Sequence, residues 1–167
     1  IPNLLVRKFI ISLIFLSICN IASSENVTAD KTISSDSTTQ QVFTADDITL
    51  TISSNATLSR SQKSIVANNR SGVTVTINEG SEVFTTSGDN AIVGQSSTNL
   101  TVNNSGKIYS SGAKAVSFRQ GSGATLSNNS GATIYAATNT VSGNHNDTEN
   151  ATITNSGTIY STGASTN

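Results

Sequence analysis

Residues 102–109 read Val-Asn-Asn-Ser-Gly-Lys-Ile-Tyr, and residues 153–160 read Ile-Thr-Asn-Ser-Gly-Thr-Ile-Tyr. The same frame recurs elsewhere in the chain. Asn-x-Gly stands at Asn78-Glu79-Gly80, Asn104-Ser105-Gly106, Asn129-Ser130-Gly131 and Asn155-Ser156-Gly157, with the glycines 26, 25 and 26 residues apart. An apolar stretch precedes each: Val73 to Ile77, Leu100 to Val102, Thr125-Leu126 and Ala151 to Ile153. An apolar-aromatic pair follows each: Val83-Phe84, Ile108-Tyr109, Ile134-Tyr135 and Ile159-Tyr160. A third apolar spot comes next, at Ile92-Val93, Val116 and Val141. A weaker earlier unit fits the same frame through Leu50, Ile52, Asn55, Leu58 and Ile65-Val66.

Each unit of about 25 residues therefore holds three short apolar segments separated by polar turns. Ile48-Thr49-Leu50-Thr51-Ile52 and Val73-Thr74-Val75-Thr76-Ile77 alternate with period two, as half-buried strands do. Asn, Gly and Ser at the breaks suit the backbone angles of tight turns. One such unit cannot bury its own apolar side, and a stack of them can. The predicted fold is all-β, a right-handed parallel β-helix with three strands per coil. Its units run roughly over 48–72, 73–98, 99–122 and 123–150, with the last cut at 167. That makes about four and a half coils, or about 20 Å of rod at the interstrand spacing. Hexapeptide repeats of a left-handed β-helix and Gly-Gly-x-Gly-x-Asp calcium repeats are absent from the sequence.

Upstream of the repeat, Arg7-Lys8, an apolar run from Phe9 to Ile18 and Ala22-Ser23-Ser24 follow one another in the order of a secretory signal peptide. Residues 1–22 are expected to be that signal, cleaved near 22–24. The apolar run is shorter than the ~20 residues a spanning helix needs. Residues 23–47 carry no visible repeat and are read as a polar lead-in or a cap over the first coil. The chain opens on Ile1 and stops inside a repeat, which suggests a fragment.

Charged residues make up 11% of the chain, and the formal net charge is −1. The nine basic residues less Arg7 and Lys8 leave seven against ten acids, about −3 after processing. No basic face is available to neutralise phosphates, so a nucleic-acid partner is not expected. Cys19 would leave with the signal, so repetition rather than disulfides must hold the mature chain together.

Four candidate features follow. Phe84, Tyr109, Tyr135 and Tyr160 recur at the unit interval and should stack on one outward face. This face is a candidate surface for a glycan or a partner protein, although neighbouring aromatics also support one another along a sheet. Asn78, Asn104, Asn129 and Asn155, with Gly80, Gly106, Gly131 and Gly157, should form a structural turn ladder whose amides satisfy turn backbone groups. The acids Asp46-Asp47, Glu79, Glu82, Asp89, Asp147 and Glu149 fall at different phases and should scatter around the rod as solvated turn residues. His145 is the one histidine in the chain and completes no metal site or catalytic triad, so no metal, cofactor or catalytic residue is expected.

The two octapeptides behind a signal of this kind resemble the passenger domains of bacterial autotransporters, over about residues 48–167. The resemblance implies a long β-helix carried across the outer membrane by a C-terminal β-barrel that these residues do not include. It implies a cell-surface or secreted, virulence-associated protein that meets a host surface protein, a glycan or another copy of itself. The reading is thus a non-enzymatic adhesin or stalk. Two alternatives stand beside it: a carbohydrate-active β-helix enzyme, tailspike-like or lyase-like, and a spacer with its function downstream. A cleft uniting Glu79, Glu82, Asp89 and a basic residue would favour the enzyme.

Overall fold

The computed structural model describes residues 23–143 and 149–163. The signal peptide expected at 1–22, His145 and Asp147 lie outside the described residues.

The described chain winds into one parallel β-solenoid. Its first, partial coil has β1 (Ser24–Val27) and β2 (Lys31–Ile33). The second has β3 (Gln40–Phe43), β4 (Thr49–Ile52) and β5 (Thr57–Arg60), and the third has β6 (Ile65–Val66), β7 (Thr74–Ile77) and β8 (Glu82–Thr85). The fourth has β9 (Ile92–Val93), β10 (Thr101–Asn104) and β11 (Lys107–Ser110). The fifth has β12 (Val116–Ser117), β13 (Thr125–Asn128) and β14 (Thr133–Ala136), and the sixth has β15 (Val141–Ser142), β16 (Thr152–Asn155) and β17 (Thr158–Ser161). Each strand pairs in parallel with its equivalent one coil on, which makes three sheets. Sheet I is β1-β3-β6-β9-β12-β15, sheet II is β2-β4-β7-β10-β13-β16, and sheet III is β5-β8-β11-β14-β17.

Stacking starts earlier than the repeat is legible. Residues 23–47 do not stand outside the rod as a lead-in: β1, β2 and β3 belong to it, and Val27, Ile33 and Phe43 are in its core. The reason is chemical. In these coils the buried positions are held partly by Gln41, whose side-chain amide nitrogen donates to the Thr39 carbonyl and whose Oε1 accepts from Lys31 Nζ at 2.8 Å. Arg60 is likewise buried at this end and donates to the carbonyl oxygens of Ser23 and Thr38. A hydrogen-bonded polar residue can occupy an inward site, and a purely apolar pattern misses it.

Inward positions stack into columns. Leu50, Val75, Val102 and Leu126 form one, and Leu58, Val83, Ile108 and Ile134 another, all buried. Strand alternation puts Thr49, Thr74, Thr101 and Thr125 on the half-exposed face.

The corner between sheets I and II carries two columns of left-handed residues that the repeat frame does not reveal. One is Asn69, Ser96 and Gln120, and the other is Asp47, Gly72, Asn99, Gly123 and Asn150. The bridges Ser71–Thr98–Ser122–Glu149 hold the second in register. Acidic or amide residues alternate there with glycine for a steric reason. A Cβ on Gly72 would collide with the Asp47 carboxylate, and one on Gly123 with the Asn99 amide oxygen.

Candidate functional site

The corner between sheets II and III sets the geometry of the face that could bind anything. Its turns differ in length from coil to coil. They span four residues at 53–56, 78–81 and 129–132, and two at 105–106 and 156–157. Long turns carry a left-handed residue at their third position: Asn55, Gly80 and Gly131, with φ of 65°, 76° and 81°. Short turns need glycine for a different reason. A Cβ on Gly106 would lie 2.6 Å from the Asn78 carbonyl oxygen, and one on Gly157 equally close to that of Asn129.

This alternation corrects the expected asparagine ladder. The inward column is Asn104, Asn128 and Asn155, and one coil lower its place is taken by Ile77. Asn78 and Asn129 lie instead in the long turns. Counting from the glycine shifts the register because the turns are unequal. Within the column Asn104 Nδ2 donates to Asn128 Oδ1 at 2.8 Å, and Asn128 Nδ2 donates to Asn155 Oδ1 at 2.8 Å. Asn104 Oδ1 also accepts the Gly106 N–H at 3.2 Å, which closes the short turn. The column thus holds Asn104 and Asn155 of the expected four, Asn128 in place of Asn129, and Ile77 where Asn78 was expected.

The aromatic ladder is in place. Phe84, Tyr109, Tyr135 and Tyr160 point outward, with successive ring centroids 4.4, 4.7 and 5.2 Å apart and planes within 7°, 4° and 14° of parallel. Each inner ring is thus sandwiched by its neighbours along the rod. The faces of the inner rings are therefore covered and not free for stacking a sugar. Ser59 aligns under Phe84, so the aromatic stack starts at the third coil. Tyr160, at the other end, is 44% exposed.

Beside the ladder, the alternating turns leave a notch. The long turns of the third and fifth coils project, with Glu79, Gly80, Asn129, Ser130 and Gly131 exposed. The short turn Ser105-Gly106 between them is only half-exposed and forms a floor. The cavity measures about 440 Å³. It brings Glu79 and Glu82 together with Lys107, contrary to the expectation that all the acids scatter. Sequence phase failed here because neighbouring coils, not neighbouring residues, build the walls. Asp89 stays apart, paired with Lys63 at 3.1 Å, and Asp46 pairs with Arg70 at 3.5 Å. Lys107 Nζ is 2.6 Å from Glu82 Oε1, and the Tyr109 hydroxyl donates to Glu82 Oε2 at 3.2 Å. Glu79 has no such partner among the described residues. Among those residues, no three His, Cys, Asp or Glu side chains gather closely enough to hold a metal ion.

The hydrogen bond from Lys107 to Glu82 raises the lysine's pKa. Burial, and then the Glu82 charge, push the Tyr109 phenol well above its ordinary range, and burial raises Tyr135. These protons are held more tightly in the folded rod than in the unfolded chain. Their contribution to stability is fully present below the unfolded values of about 10 and is lost as pH rises through the folded ones. Thermal unfolding followed by circular dichroism should therefore show Tm falling above about pH 10, with a shallower fall for Tyr109→Phe. Parallel curves for the two proteins would remove this cluster from the account.

Comparison with protein-family models, with curated proteins and with solved structures finds no match to this chain.

Proposed function

We propose that this chain is part of an exported, non-enzymatic surface rod of the autotransporter passenger type, acting as a stalk or an adhesin at a bacterial cell surface. One observation supports it above the others. The hydrogen-bonded and stacked side-chain networks run along the axis, from coil to coil, as in Asn104–Asn128–Asn155 and Phe84–Tyr109–Tyr135–Tyr160. Such networks serve length and cohesion, which a stalk requires. Among the described residues the first strand starts at Ser24, just after the sequence segment with signal-peptide character.

The test is to probe intact producing cells with an antibody against the rod and to sequence the N-terminus of the labelled protein. Surface labelling with residues 1–22 removed is the expected result. Protein retained inside the cell with that segment attached would sink the reading. Adhesion is a separate measurement: if the displayed rod binds neither host cells, matrix, glycans nor itself, the stalk remains and the adhesin does not.

A second reading, a glycan-cleaving β-helix, is favoured by the meeting of Glu79, Glu82 and Lys107 in one notch. Glu82 is there engaged by both Lys107 and Tyr109. Release of reducing ends from an oligosaccharide, lost in Glu79→Gln, would establish it.

A further inference from the structure

We propose that the notch over Ser105-Gly106 is a binding subsite for one neutral, hydroxyl-rich ring, that is, a saccharide unit. The inference deepens the adhesin reading and rests on it for its biological meaning, though not for its chemistry.

The shape follows from the turns. The projecting turns belong to coils two apart, so the slot between them is one coil wide, about 4.8 Å. A single ring fits edge-on in such a slot, and a folded domain does not. Its cavity of about 440 Å³ is in the range of small-ligand clefts.

The lining disfavours anions, because a free anion would face Glu79 and Glu82 while Lys107 is already paired with Glu82. A neutral polyol meets no such repulsion. Its hydroxyls each donate and accept, which matches a lining of both kinds. Glu79 offers two acceptor oxygens without a partner among the described residues, while Lys107 and the hydroxyls of Ser130 and Thr133 offer donors. Glu82 is held in place by Lys107 and Tyr109, so part of the wall is set before a ligand arrives. No aromatic face lines the slot, because the ladder's inner rings cover one another. The site must therefore work by hydrogen bonds alone, and its affinity should be modest.

The purified full chain, labelled with nitrogen-15, should be titrated with the methyl glycosides of glucose, galactose, mannose and N-acetylglucosamine. Inorganic phosphate and tetramethylammonium serve as ionic controls. The expected result is amide shifts confined to residues 79–82, 105–107 and 130–133 with at least one glycoside. Glu79→Gln should weaken that binding roughly tenfold by removing a charged acceptor. Ser130→Tyr, an exposed position that should leave the fold intact, should abolish it by filling the slot. Absence of shifts with every glycoside, shifts that survive both variants, or shifts with the ions alone would each overturn the proposal. A saccharide bound by a chain that never reaches the cell surface would overturn the export reading and leave the subsite standing. Cell adhesion that survives Ser130→Tyr, in a protein whose notch binds nothing, would do the reverse.

Discussion

Asn128→Ala is expected to weaken the coupling between the fourth, fifth and sixth coils by about 3–4 kcal/mol, from a poorly satisfied buried Asn104 amide and a cavity together. Asn128 is 1% exposed. Its amide accepts from Asn104 and donates to Asn155 and, at 3.3 Å, to the Thr158 carbonyl. Alanine removes the donor to the Asn155 oxygen, but Asn155 is exposed and water can replace that bond. The substitution also leaves Asn104 Nδ2 with only the Thr133 carbonyl at 3.4 Å. Each orphaned buried group costs about 1–3 kcal/mol, which is more than the bond itself contributes. Asn128→Leu separates the two causes, because it fills most of the volume without restoring the bonds. It should recover about 1–2 kcal/mol, the share due to the cavity. Full recovery by leucine would show that the amide column contributes nothing net. Urea unfolding measures the total, and amide hydrogen exchange should place the loss in β13, β14, β16 and β17. Unfolding need not be two-state, since a weakened interface in a repeat stack can let the terminal coil open alone.

Gly106→Ala should be nearly as damaging, at about 3 kcal/mol for a forced overlap in a packed region. The added methyl would meet the carbonyl oxygens of Ser81 and Asn78, which belong to the coil below. Neither can move freely. The Ser81 carbonyl accepts the Lys107 N–H at 2.9 Å, and the Asn78 carbonyl accepts from the Ser81 hydroxyl at 2.6 Å. Relief therefore requires the third and fourth coils to separate at that corner. Gly131→Ala is the informative contrast. Gly131 has φ of 81° with nothing near its missing Cβ, so only the left-handed strain of about 1–2 kcal/mol applies. Gly131→Asn should cost less again, as Asn55 already holds that conformation in the second coil. Equal losses at Gly106 and Gly131 would mean that backbone angle, not space, governs both sites.

Much of this architecture is legible in the chain itself. The sequence pattern places the apolar segments of β4 to β17 and identifies Phe84, Tyr109, Tyr135 and Tyr160 as one outward row. Period-two alternation and a repeat near 25 residues suffice for that, because each strand reports its own buried face. Three things were not legible. Coils with inward Gln41 and Arg60 look polar, so residues 23–47 read as a lead-in. Asn128 rather than Asn129 joins the amide column, because a four-residue turn stands where the neighbouring coils have two. Glu79, Glu82 and Lys107 share a notch although they lie up to 28 residues apart.

The sequence by itself therefore determined that the chain is a stack of three-stranded β coils and which apolar residues of the repeat, from Leu50 onward, face the core, since for an apolar side chain inside and outside are local properties of a strand. Only the tertiary structure decided which residues of different coils lie over one another. That register depends on turn lengths, and a difference of two residues at one corner both moves a hydrogen-bonded column by a position and opens a cavity beside it.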